Sequence, residues 1–413
     1  MTPAGGAGAS PKNEGPLSKL DWFLLPTICL LTAGVLVVSA EGLSRHLYAE
    51  SQSSTLPCLI VDDPTTGVRA IPKTECFQKL RESASTRYTF NSCGHRAGME
   101  CGPKPADTYR IVLIGSSFNY GMGVTSQESF ATLLPGQLSR RTGRKIELYN
   151  EAMQWGFPHS VDLRFGEVLA AKPDLILWPL TPMDFDGVEV TVPYLGAPKT
   201  RDAVAGGDGQ PTEAPATRWG RLKKALREKS PSELVARAWS VLTSPLKDSS
   251  SVFLLQHMLF KSQSMYVKQY LMQGDSTEYL RTNPGPAWRE KLAAFAKYYA
   301  DVQARANKIG ATVVVAVMPE RAQAALLSMN EWPDGVDPYA LGREVRAIVT
   351  RQGGTYVDIL PDFRQVPNPE RMYLPVDGHP DVGGHAMLSR MLTEALSDGA
   401  VPALSNTLQR VAE

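Results

Sequence analysis

Nineteen consecutive residues without a charge, Trp22 to Ala40 (WFLLPTICLLTAGVLVVSA), set the first condition on this chain. As a helix they reach roughly 28 Å, about the thickness of a bilayer's hydrocarbon core. Asp21 and Glu41 close the run sharply, and Lys12 and Lys19 on its N-terminal side favour that end inside. Pro26 falls near the expected helix start, where its missing N–H costs least. The pattern predicts a single-pass anchor over 22–40 that holds the protein in the membrane, with residues 1–21 as a cytoplasmic tail. The remainder then lies outside the cytoplasm, in a periplasm or beyond the cell. A cleaved signal peptide is the alternative, since Val38-Ser39-Ala40 offers small residues. Its apolar core would exceed the usual length of about 7–15 residues.

Cysteine usage agrees with export. Cys29 lies inside the apolar run, and Cys58, Cys76, Cys93 and Cys101 cluster after it. An even set near an exported N-terminus predicts two disulfides, with three pairings open. No C-x-x-C spacing occurs and no histidine stands at ligand spacing, so no metal is expected. The formal net charge is +1, which gives no field for a nucleic-acid partner.

With 43% hydrophobic and 21% charged residues the chain can bury a large core. Residues 41–107 read as an irregular, disulfide-stapled juxtamembrane segment. From 108 a regular alternation begins. Strands are expected at Tyr109–Ile114, Lys145–Tyr149, Asp174–Trp178, Thr312–Val317 and Thr355–Asp358. Helices are expected at Ser126–Arg141 with Ser126 as N-cap, then Ser160–Ala171, Trp288–Ile309, Leu341–Arg351 and Gly383–Leu396. Alternating short apolar strands and amphipathic helices predict an α/β domain over 108–398. Its five-stranded parallel sheet is covered on both faces. A helical insertion spans about 186–286, and 399–413 reads as a tail. Within the insertion, Trp219–Lys229 (WGRLKKALREK), with Arg218 beside it, is strongly basic and reads as a solvated helix face. The Met- and aromatic-rich run Ser251–Met272 reads as a packing element, with an acyl-binding lid as the alternative.

Ligands bind such sheets beyond the carboxyl ends of the strands. After the first strand comes Gly115-Ser116-Ser117-Phe118-Asn119-Tyr120-Gly121, which can present a serine hydroxyl at a strand-to-helix turn. After the last strand comes Asp377-Gly378-His379-Pro380. A serine needs a base and the base needs an orienter, and Asp and His two residues apart can supply both. His159, after the second strand, reads as a surface histidine, with entry into the site as the alternative.

The run IVLIGSSFNYGMGV (Ile111–Val124) resembles the first block of SGNH (GDSL-like) hydrolases, and LPVDGHPDVGGH (Leu374–His385) resembles their last. The resemblance covers 109–185 and 288–396. With the alternation it implies an SGNH fold, a flavodoxin-like three-layer sandwich with strand order 2-1-3-4-5, without cofactor, and it implies Ser117 as nucleophile, His379 as general base and Asp377 as its orienter. By the same resemblance His385 is a structural second histidine. The oxyanion hole is expected from the Ser117 amide and an amide at Trp155 or Gly156. Three positions depart from the family pattern. Ser116 replaces the first-block Asp, Trp155 stands at the usual spacing for the glycine, and Met183 stands where an oxyanion-hole Asn is expected. The resemblance implies a serine esterase acting on a carboxylic ester, with an acyl group carried on a cell-surface saccharide as a candidate substrate. O-Acyl transfer to an exported polysaccharide, or a non-catalytic binding role, are the alternatives.

Overall fold

The computed structural model describes residues 19–48, 58–63, 67–188 and 249–405. The basic stretch Trp219–Lys229 lies outside the described residues. The apolar run forms α1 (Lys19–Leu47), longer at both ends than its uncharged core. Pro26 therefore sits in the helix interior, and nearby Thr27 Oγ1 donates to the Phe23 carbonyl at 2.7 Å. The span Trp22–Leu47 is long and apolar enough to cross a bilayer.

Residues 58–101 are more regular than the expected loop. Two antiparallel hairpins form there: β1 (Leu59–Asp63) with β2 (Gly67–Ala70), and β3 (Glu75–Gln78) with β4 (Thr86–Thr89). The Cys58–Cys76 disulfide ties one hairpin to the other, and Cys93–Cys101 closes the following loop. Val68, Ala70, Tyr88 and Phe90 bury a small second core against Tyr120 and Met153 of the larger domain. Covering that apolar edge is what makes four-residue strands worth forming.

The larger domain is a five-stranded parallel sheet of β5 (Thr108–Leu113), β6 (Lys145–Asn150), β7 (Leu175–Leu180), β8 (Thr312–Val317) and β9 (Thr355–Tyr356). Its order is β6-β5-β7-β8-β9, the expected 2-1-3-4-5. Every residue of β7 is buried, as a central parallel strand covered on both sides requires. β9 is shorter than expected. Asp358 turns away to accept the Leu360 amide and to pair with Arg346.

The helices follow in chain order. They are α2 (Ser117–Tyr120), α3 (Phe130–Thr142), α4 (Pro158–Ala170), α5 (Pro182–Asp186), α6 (Ser250–Leu259) and α7 (Gln263–Leu271). Then come α8 (Pro286–Asn307), α9 (Arg321–Leu327), α10 (Ala340–Arg351) and α11 (Val382–Ser397). α3 packs with α11, and α8 packs with α4 and α10. α3 starts later than expected. Ser129, not Ser126, caps it by accepting the Ala131 amide, while Ser126 is buried against Thr89. The domain also continues past residue 398, since Val401 and Leu404 are buried in the main core.

Candidate active site

β5 delivers the chain to Gly115, whose φ of +129° is reserved for glycine. A Cβ there would stand 2.1 Å from the Asn119 side-chain nitrogen. That nitrogen donates to the Pro179 carbonyl at 2.7 Å, fastening the nucleophile turn to the end of β7. Ser117 is the first residue of α2 and is half-buried. Below it lies Arg96, a fully buried cation. It donates to the carbonyls of Tyr120 (2.9 Å), Gly121 (2.6 Å) and Val124 (2.5 Å). Its guanidinium stacks on Tyr88 at 3.8 Å, and burial pulls its pKa down.

From the far end of the sequence, a tight turn closed by Gly378 N–H to Leu374 O (3.0 Å) carries the second half of the constellation. His379 Nε2 lies 2.8 Å from Ser117 Oγ, and His379 Nδ1 lies 2.7 Å from Asp377 Oδ1. A carboxylate only accepts, so Nδ1 bears the hydrogen and Nε2 is left to take one from the serine. Burial pushes the Asp377 carboxyl up, but the hydrogen bonds and charge of His379 outweigh it, and the pKa lies below its ordinary value. Ser117, His379 and Asp377 are thus brought together.

Of the two amides expected beside the serine, Gly156 donates to the Met153 carbonyl at 3.0 Å. The amides of Ser117 and Trp155 have no acceptor among the described residues. Trp155 holds φ at +57°, a left-handed conformation that costs a bulky residue about 1–3 kcal/mol. Gly156 is needed for close approach, since a Cβ there would lie 2.2 Å from the Gly115 carbonyl oxygen.

Met183 offers no side-chain donor. It is 48% exposed on α5, and its backbone N–H donates to Glu320 Oε1 at 3.0 Å. Ser116 is buried, and its hydroxyl acts on the buried Asp184. Burial pushes Asp184 up to about 6 against the pull of Thr181 and Ser116. A cleft of about 240 Å³ opens at His379, walled by Met183, Phe260, Tyr266, Tyr270 and Glu320. The run 251–272 therefore packs and lines the cleft at once. Burial raises Glu320 to about 7, with Asp186 adding to the effect.

His159 does not enter the site, because its Nδ1 lies 3.0 Å from Tyr298 Oη at the contact between α4 and α8. His385 is fully buried and stacks on Phe130, and burial holds its pKa down near 3. Sequence reading missed Arg96, Glu320 and Asn119. Asn119 stood inside the first block and could have been noticed. Arg96 and Glu320 are charges that belong to no periodic pattern.

No family model matches the chain, and no curated protein matches it. The chain is similar to solved structures of esterases. TesA aligns at 13% identity and a TM-score of 0.36, over 71% of this chain and 99% of TesA. A catalytic mutant of Axe2, an acetylxylan esterase from Geobacillus stearothermophilus, aligns at 12% and 0.35, over 70% and 94%. The psychrotrophic esterase EstA from Pseudoalteromonas sp. aligns at 10% and 0.34, over 70% and 96%. Identities and TM-scores this low leave the chemistry to the chain's own residues.

Proposed function

We propose that this chain is a membrane-anchored serine esterase of SGNH type, working outside the cytoplasm. The observation that carries the reading is the 2.8 Å and 2.7 Å chain from Ser117 through His379 to Asp377. Ser117 Oγ attacks the ester carbonyl as His379 Nε2 takes its proton. Asp377 holds the imidazole tautomer and stabilises its cation. The negative oxygen of the tetrahedral intermediate rests on the free amides of Ser117 and Trp155. His379 then returns the proton to the leaving alcohol, and water repeats the cycle on the acyl-serine. The anchor is α1, and the cytoplasmic side is the one carrying Lys12 and Lys19.

The substrate class we favour is an O-acyl ester of a saccharide. Tyr266 and Tyr270 give the cleft flat apolar faces, and Glu320 gives it a hydrogen-bonding edge, the combination that suits a sugar ring. A second reading, O-acyl transfer to an exported polysaccharide, draws on the same cleft. It leaves room beside His379 for an acceptor hydroxyl in place of water.

A fluorophosphonate probe on the full-length protein tests the proposal. Wild type should label and Ser117→Ala should not. Absence of labelling in wild type, or labelling that survives Ser117→Ala, would sink it. Comparing free acid with acylated sugar in the products, with an oligosaccharide present, separates hydrolysis from transfer.

A further inference from the structure

Contacts between segments far apart in sequence lead from the apolar anchor to the loop that carries Asp377. Glu41, one residue past the uncharged run, accepts from Ser249 Oγ (2.7 Å), Ser250 N (3.1 Å) and Ser251 N (2.9 Å). It thereby caps α6 from outside, in the manner of an N-terminal carboxylate. Further along that helix, the Phe253 and His257 rings pack on Tyr48, just past the end of α1, at 5.4 and 5.5 Å. His257 Nδ1 lies 2.7 Å from Glu82 Oε1. The Glu82 side chain is fully buried. Its Oε2 accepts the backbone N–H groups of Val376 (2.8 Å) and Asp377 (2.8 Å).

We propose that Glu82 is a positioning residue for Asp377 and His379, and that the anchor helix sets its place through α6 and His257. The inference rests on the triad reading above. A buried carboxylate needs donors, and the ones it has chosen belong to the loop that carries the triad acid. Without it, two amides of that loop lose their acceptor, and the loop is released beside the atom that orients the imidazole. The insertion acts on the same carboxylate, so α1 and α6 form part of the support of the active centre.

Hydrogen exchange over residues 374–381, followed by mass spectrometry on the full-length protein in nanodiscs, tests this alongside turnover of p-nitrophenyl acetate. Glu82→Ala should speed exchange at Val376 and Asp377 by about tenfold or more. It should lower kcat by about a hundredfold while KM stays within about threefold, because a displaced base slows chemistry without emptying the cleft. Glu82→Gln keeps an oxygen for both amides and should restore most of the protection and most of kcat. Glu41→Ala and His257→Ala should each speed exchange in the same peptide by about threefold. Exchange in Glu82→Ala within about twofold of wild type overturns the positioning role. Unchanged exchange in both Glu41→Ala and His257→Ala overturns the link to the anchor. If Glu82→Ala does not fold, a Glu82→Gln protein with unprotected amides overturns the role and one with protected amides supports it. If wild type hydrolyses no ester, exchange still decides this inference, and only the esterase reading fails.

Discussion

The serine arm and the histidine arm of the proposed triad are held in opposite ways. Ser117 stands on a turn whose carbonyls, at Tyr120, Gly121 and Val124, are gathered by the buried cation of Arg96. His379 follows a loop whose amides, at Val376 and Asp377, are gathered by the buried anion of Glu82. Arg96 sits inside a packed aromatic core between Tyr88 and Tyr120. Glu82 sits between loops and leans on His257, which is partly exposed. Each arm depends on a buried side chain from the segment before β5, but one support is packed among rings and the other leans on a partly exposed histidine. That contrast can be broken in stages.

The largest effect tests whether the arms act as one unit. Ser117→Ala and His379→Ala should each lower kcat for an ester on the order of 10⁴-fold, and the double mutant should lose little more. Two losses that multiply would mean that the serine and the histidine work independently, and the comparison of arms would lose its point.

Arg96→Ala comes next, and it should be felt first as stability. Three carbonyls lose their donor and two rings lose the guanidinium between them, at a cost of about 3 kcal/mol or more in urea unfolding. Arg96→Lys should recover less than half, because an ammonium cannot reach three carbonyls in one plane. An Arg96→Ala protein as stable as wild type but slow in catalysis would mean that Arg96 positions the serine turn without supporting the fold.

What the sequence made legible follows the same division. The strands stand out because parallel sheets bury both faces. Apolar runs such as Tyr109–Ile114 and Thr312–Val317 therefore read as buried strands, while the sheet order came from the β/α alternation together with the family resemblance. Ser117, Asp377 and His379 were legible because two short blocks each carry part of one chemical unit. The hairpins of 58–89 were not, since strands of four or five residues among Gly, Thr and Pro give too little alternation to count. Ser129 lost to Ser126 on paper because the Thr125–Glu128 turn, with both Thr125 donors on the Glu128 carboxylate, is a local bond that no hydrophobic period reveals. Glu82 and Arg96 were invisible for a deeper reason. A lone charge in a polar stretch is almost always solvated, and only the fold shows that these two are buried.

The smallest effect asks to which arm the cleft wall belongs. Glu320 follows β8, with Oε1 on the Met183 amide (3.0 Å) and Oε2 on the Tyr270 hydroxyl (3.1 Å). Burial lifts its carboxyl from an ordinary 4.5 to about 7, and Asp186 and Asp184 push the same way. The folded state therefore keeps a proton that the unfolded chain releases. The stability this carries is full below about 4.5 and is lost as pH rises through about 7. Glu320→Gln removes that titration, so the fall in melting temperature between pH 5 and pH 8 should be smaller in the variant than in wild type. In the kcat/KM profile, an inflection near 7 should disappear with it, and the change at any one pH should stay below about tenfold, since Glu320 touches neither reacting atom. If the inflection survives Glu320→Gln, the wall is passive and the pH response belongs to the histidine arm alone. If it vanishes, the cleft wall, the insertion's Tyr270 and the Met183 amide respond to pH as one surface joined through Glu320.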